Sequence, residues 1–303
     1  MRIMVAEYAV GGGEGKSGSL LREGKEMLTT LRRSFERIGN EVVYPEAEDD
    51  FEAAVDKLSK ESDAGIVIAP DDRLCELTEL VESNTVNLGC PSECVKICAD
   101  KMEATKILKD TGIPVPGIVL DSEMGKGEYV KKPRYGCASE NVFILNGKGN
   151  HEAAFFYDDN QDYIITEFIK GEDISSSVVV GVSSVLPLTI NKQFMRLEGG
   201  RLRYEGGLVP YFVGRDAERE IMNTSKKVVT MLRCKGYVGI DFVLGDDGTA
   251  YVVDINPRPT TSIVGIAKVL NYEVAELILR ARFGTLPLEE EVKTEGRFIL
   301  KLS

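Results

Sequence analysis

The chain has 303 residues, 43% of them hydrophobic and 28% charged, which is enough apolar material for two or three subdomains rather than one small core. A formal net charge of −12 argues against general affinity for nucleic acid, because a phosphate backbone would be repelled over most of such a surface, and no apolar run approaches the length that spans a bilayer. Six cysteines without a CxxC pair point to a reducing, cytoplasmic compartment.

In chain order, Arg2 to Val10 is apolar for too short a run to be a signal peptide and reads as a first strand. The glycines from Gly11, followed by Gly15, Lys16 and Ser17, imitate a phosphate-binding loop. The first glycine of GxxxxGKS falls on Val10, however, so a lid over substrate or a plain turn is the better reading. Leu20 to Gly39 is patterned as a helix, Glu41 to Ala47 as a strand, Phe51 to Glu61 as a helix and Ala64 to Pro70 as a buried strand. Strands alternating with helices predict a parallel sheet over residues 1 to about 90. A helical region follows from Ser92 to Gly112. Cys90, Cys94 and Cys98 share one face at helical spacing, which is open to two readings: a metal or redox cluster, or buried apolar side chains. The single histidine, His151, lies in a polar loop without a partner, so Ser-His-Asp and Cys-His catalysis are not expected.

Three later segments carry the chemistry. In Tyr251 to Ser262 an apolar strand ends with Asp254 and Asn256, and side chains at i and i+2 point to one face of a strand. Upstream, Gly245-Asp246-Asp247-Gly248 is a turn signal between two β-rich runs, so a hairpin would bring Asp241 to the same place. Two carboxylates and an amide oxygen suit one hard cation whose shell is completed by nucleotide phosphates; the plainer reading is a pair of caps before Pro257. In Tyr129 to Leu145 a strand delivers Lys132 to a loop of small residues from Gly136 to Ser139, where backbone N–H groups and an ammonium would suit phosphate. In Tyr163 to Val180 a strand ends at Glu167, and Glu172 and Asp173 follow Gly171.

These segments, in this order, resemble the ATP-grasp superfamily of carboxylate-amine ligases from about Pro91 to Ser262. The motif DKxxxxxxLxxxGIPVP is matched by Asp100, Lys101, Leu108 and Gly112 to Pro116. The resemblance implies an ATP-grasp fold, α/β and α+β, preceded by a small Rossmann-like domain: residues 1–90 as that domain, 91–167 as the central subdomain and 168–303 as the C-terminal α+β subdomain, with ATP between the last two. It implies that Lys132 and Lys101 contact the nucleotide and that Gly136 and Ser139 belong to a loop over its phosphates. Glu167, Phe168 and Ile169 would be the hinge that reads adenine, and Asp173 or Glu172 would hold ribose. Asp241, Asp254 and Asn256 would bind Mg2+ or Mn2+, although the family more often has Glu where Asp254 stands. Arg258 would direct a guanidinium at the phosphoryl group or a substrate carboxylate, as its planar fork suits. The implied reaction passes through an acyl phosphate, with ADP released and an amide formed, and needs positioning and charge rather than a histidine base.

The opening Glu7-Tyr8-Ala9, the loop Tyr204 to Tyr211 and the run Ile255 to Ser262 further resemble the archaeal branch of the family that joins tyramine to the γ-carboxyl of glutamate in methanofuran biosynthesis. That likeness would put Glu205, Gly206 and Gly207 on the acceptor side and pair Arg203 or Arg258 with a glutamate carboxylate; alternatively Arg196 to Gly207 is an exposed hairpin with solvated charges. Small-molecule substrates are implied, neither nucleic acid nor membrane is, and a homodimer is a common family assembly. Two other functions remain: a ligase for another amine and acid, or a nucleotide-binding regulatory protein without turnover.

Overall fold

The structure is a computed structural model that describes residues 1–12, 18–47, 50–136, 141–147 and 162–302. Strands β1 (Arg2–Glu7), β2 (Glu41–Val43), β3 (Ala64–Ile68) and β4 (Val86–Asn87) form a parallel sheet in the order β2-β1-β3-β4, joined by α1 (Gly18–Arg37), α2 (Phe51–Lys60) and α3 (Asp71–Asn84). The alternation read from the sequence is therefore present. Alternate residues of β1 enter different cores: Met4 and Ala6 pack with Ile240 and Phe242, whereas Ile3 and Val5 pack with Ile266 and Leu277.

The helical region from Ser92 is broken in two, as α4 (Ser92–Ala99) and α5 (Lys101–Asp110). Asp100 is the cause. Its backbone is extended, its carboxylate accepts from the N–H groups of Met102 (3.2 Å) and Glu103 (3.1 Å), and Arg134 donates to it at 2.8 and 2.6 Å. A carboxylate that caps the next helix cannot also continue the preceding one.

Among the described residues the second sheet has nine strands: β5 (Glu128–Pro133), β6 (Phe143–Asn146), β7 (Tyr163–Glu167), β8 (Gly171–Val180), β9 (Val185–Glu198), β10 (Arg201–Val209), β11 (Gly236–Gly245), β12 (Ala250–Asn256) and β13 (Phe298–Lys301). Their order is β12-β11-β8-β9-β10-β6-β5-β7, with β13 beside β10, and every pairing is antiparallel. Helix α6 (Arg215–Met231) precedes β11, while α7 (Ile263–Val269) and α8 (Val274–Phe283) follow β12. The β9–β10 turn uses Gly199 and Gly200 at φ of 58° and 81°, the left-handed conformations that a two-residue hairpin turn requires. Among the described residues no helix is long and apolar enough to cross a membrane.

Candidate active site

The C-terminal ends of β1 and β3 open towards the face of the large sheet, and between them lies a cavity of about 430 Å³. The β11–β12 hairpin forms one wall. Its register sets Asp241 directly opposite Asp254 and Gly239 opposite Asn256, with a bulge after Asp241. Asp241 accepts from Gln193 Nε2 (2.9 Å) and from Asn256 Nδ2 (3.1 Å), and Arg258 Nη2 donates to Asn256 Oδ1 (3.3 Å). Burial pushes Asp241 up to about 7, and the Asp254 carboxylate adds to the shift. Two facing carboxylates fit a hard divalent cation, which would relieve the crowding of negative charge, and Asn256 would add its amide oxygen by turning over the amide whose Nδ2 here meets Asp241.

Two lysines lie against this hairpin. Lys132, on β5, is half-buried and donates to the Val253 carbonyl at 2.5 Å; the desolvation of its ammonium lowers it to about 8. Lys101, at the start of α5, is bonded to Asp71 Oδ2 (2.9 Å) and the Gly136 carbonyl (2.6 Å) and lies 3.7 Å from Asp254 Oδ1. Asp71 is a site residue that sequence reasoning missed, since an acidic residue in a first helical turn reads as an ordinary favourable end charge. Here it is 3% exposed, and burial raises its carboxyl above the usual range. Gln193 was missed as well.

Glu167, Phe168 and Ile169 line the cavity where β7 leads into β8. The Glu167 and Phe168 N–H groups are already used, donating to the carbonyls of Gly117 (2.8 Å) and Glu128 (3.1 Å). Of the two acids after Gly171, Asp173 lines the cavity and Glu172 does not. Glu172 faces the other way, accepting from Tyr211 (2.7 Å) and Lys192 (3.1 Å), because adjacent strand residues alternate faces. Gly136 lines the cavity. Ser139, His151 and the run Gly13 to Ser17 lie outside the described residues.

The far end is acidic around one guanidinium. Glu7, at the end of β1, is raised to about 7, above all by burial, and accepts from the Val10 N–H (2.7 Å). Glu23, on α1, accepts from Thr261 Oγ1 (2.7 Å). Arg258, Tyr204, Glu7 and Glu23 all line the cavity. The acceptor residues expected on β10 need correcting. Leu202 and Tyr204 face the cavity, so Arg203 and Glu205 do not, and Glu205 instead pairs with Arg196 at 3.2 Å. Gly206 and Gly207 serve close strand packing: a Cβ on Gly206 would lie 2.1 Å from the Leu300 carbonyl oxygen, and one on Gly207 2.6 Å from that of Lys192. Arg201 to Gly207 is thus one arm of a hairpin.

Comparison with known proteins identifies the family. The family model described as an ATP-grasp domain matches residues 98–262. A tyramine–L-glutamate ligase from Methanocaldococcus jannaschii is 31% identical, over 92% of this chain and 88% of that one. Among solved structures, an ATP-grasp superfamily protein from Archaeoglobus fulgidus superposes with a TM-score of 0.76 at 24% identity, covering 99% of this chain and 92% of that one. N5-carboxyaminoimidazole synthetase from Staphylococcus aureus, complexed with ADP, gives 0.75 at 15% identity, covering 98% and 81%. These last two speak for the fold, and the first two, by the extent of their match, mean that the chain belongs to the ATP-grasp family.

Proposed function

We propose that the protein is an ATP-dependent, ADP-forming carboxylate-amine ligase that joins tyramine to the γ-carboxyl of L-glutamate. The observation that carries the substrate assignment is the nearly full-length likeness to the M. jannaschii tyramine–L-glutamate ligase. The polarity of the cavity supports it: Arg258 suits a substrate carboxylate, and the Glu7 and Glu23 carboxylates suit the ammonium of an amine or amino acid.

On this reading adenine lies along Glu167 to Ile169, ribose meets Asp173, and the phosphates point towards Lys132, Lys101 and the loop that begins at Gly136. Asp241, Asp254 and Asn256 would hold Mg2+ or Mn2+, which supplies charge neutralisation at the phosphates when bound. A glutamate carboxylate oxygen, oriented by Arg258, attacks the γ-phosphorus; the bond to the bridging oxygen breaks and ADP leaves. Lys132 stabilises the charge that develops on the transferred group. The free amine of tyramine then attacks the acyl carbon, phosphate departs and the nitrogen loses a proton. Glu7, held near 7, suits taking up that proton at neutral pH.

The same reading keeps ATP between a central subdomain of residues 91–167 and a C-terminal one of 168–303, behind an N-terminal domain of 1–90. It places the enzyme in the cytoplasm, with a homodimer as the assembly to test by light scattering. The deciding experiment is magnesium-dependent ADP release with glutamate present, comparing tyramine with a panel of amines and amino acids and recording product mass. A tyramine–glutamate amide is expected. ADP with another amine would keep the ligase and replace the substrate, and nucleotide binding without turnover on any pair would leave a regulatory protein.

A further inference from the structure

Outside the cavity, four cysteines meet in the core. Cys90 lies between β4 and α4, Cys94 and Cys98 occupy successive turns of α4, and Cys234 lies between α6 and β11. Cys94 Sγ is 3.3 Å from Cys234 Sγ and 3.9 Å from Cys98 Sγ. The sulfurs of Cys90, Cys94 and Cys234 lie within 4.8 Å of one another, whereas that of Cys98 joins them through Cys94 and must close in on the other two to complete a tetrahedron. All four residues are at most 3% exposed. Spacing in the sequence brings only Cys90, Cys94 and Cys98 to one face; the approach to β11 delivers the fourth sulfur.

Buried cysteines serve commonly as small apolar side chains, and a pair at i and i+4 on a helix needs no other explanation. Convergence of three sulfurs from two stretches of chain, with that of Cys98 beside Cys94, is a different matter, because helical spacing alone does not bring Cys234 to the others. A four-coordinate ion with metal–sulfur bonds of about 2.3 Å holds its thiolates roughly 3.8 Å apart along the edges of the tetrahedron. The separations of 3.3 and 3.9 Å lie on either side of that edge. A polynuclear iron–sulfur cluster would spread its thiolates further than a single ion does, so the spacing selects a mononuclear centre.

We propose that Cys90, Cys94, Cys98 and Cys234 form a closed tetrathiolate site for one thiophilic divalent ion, zinc in particular. Binding replaces the four S–H protons, which pass to solvent, and moves no electrons. In the metal-free arrangement Cys90 Sγ donates to the Lys235 carbonyl at 2.9 Å, and that bond gives way to coordination. With four protein ligands the centre has no open position and is structural. It staples α4, which packs between α3 and β12, to the start of β11, the strand that carries Asp241.

The test uses the full chain, reduced and stripped by a chelator, then titrated with Co2+. The expected result is an intense sulfur-to-cobalt charge-transfer band with tetrahedral d–d bands, saturating at one ion per chain and bleached by an equivalent of Zn2+. Oxygen ligands give no such charge-transfer band, so binding at Asp241 and Asp254 is not mistaken for it. Cys94→Ser and Cys234→Ser should abolish the band, and Cys75→Ser should keep it. Should the serine variants fail to fold, the parent still decides: Zn2+ should raise its melting temperature and protect four of its six thiols, those of Cys90, Cys94, Cys98 and Cys234, from alkylation. Absence of the charge-transfer band from folded parent protein overturns the proposal. So does its survival in Cys94→Ser, or quantitative formation of a Cys94–Cys234 disulfide in protein that takes up no cobalt.

Discussion

Lys132 Nζ donates to the main-chain carbonyl of Val253 at 2.5 Å, so the ammonium of β5 is anchored beside Asp254 on β12, a strand at the other end of the sheet order. The bond fixes a half-buried positive charge at the junction of the two halves of the cavity.

Replacing Lys132 with Ala should therefore lower kcat/KM for ATP by about 10²-fold or more, the usual cost of removing one preorganised charge from a phosphoryl-transfer site. There is also a pH signature. Burial lowers this ammonium to about 8, so in nucleotide-free protein it is charged at neutral pH and discharges as pH rises through about 8. Nucleotide affinity measured by calorimetry should fall over that range in the parent, and the fall should be absent from Lys132→Ala. Unchanged turnover in the variant would remove Lys132 from the phosphate site.

The facing carboxylates make a second prediction. Asp254→Ala and Asn256→Ala should each reduce metal-dependent ADP formation by at least about 10²-fold with the fold intact. Asp241→Asn separates stability from activity. The folded value of about 7 for Asp241 lies above the usual carboxylate range. Stability that the protonated group contributes is thus lost as pH rises from about 4 to about 7. The metal-free Asn variant escapes that loss, so its melting temperature relative to the parent should climb between about pH 4 and about pH 7. A difference independent of pH would mean that Asp241 is ionised throughout.

Much of this site was legible in the sequence. Asp254 and Asn256 stand two apart on a strand, and Gly245 to Gly248 announces the turn, so local rules place Asp241 opposite Asp254. What local rules do not carry is which face of a strand meets a distant partner. Gln193 reaches Asp241 only through the register of β9 on β8, which shifts at Val178. The same limit misplaced Glu205 and left Glu172 beside Asp173 as a second candidate. Asp71 needed the third dimension too, because only the fold shows that Lys101 sits on it. The break at Asp100 was hidden for another reason: an Asp inside a helical pattern becomes a cap when an arginine holds it, and Arg134 is 34 residues away.

Asp100 leads to a third prediction. Arg134 holds its carboxyl down at about 2 while the same group caps α5. Asp100→Ala loses the cap and should cost about 1 kcal/mol. In a chain of this length that lowers the melting temperature by about 2 °C. Arg134→Ala keeps the cap and should cost less. Because Lys101 is the next residue, Asp100→Ala should also raise the KM for ATP, whereas a drop in melting temperature with unaltered KM would confine Asp100 to a structural role.

The last prediction concerns the acceptor end. Glu23 reaches the cavity from α1, is held by Thr261 Oγ1 at 2.7 Å and shares that end with Glu7 and Arg258. A carboxylate so placed suits an ammonium, and deleting one partner of a charge-assisted hydrogen bond costs roughly 1.5–3 kcal/mol. Glu23→Gln, which keeps shape and the Thr261 bond while removing the charge, should raise the KM for the amine by about 10-fold to 100-fold and leave the KM for ATP in place. The split between the two constants is the informative quantity. An increase confined to ATP, or to glutamate, would move Glu23 away from the amine and towards the substrate whose constant changed, and equal constants in parent and variant would make it a support for Thr261 alone.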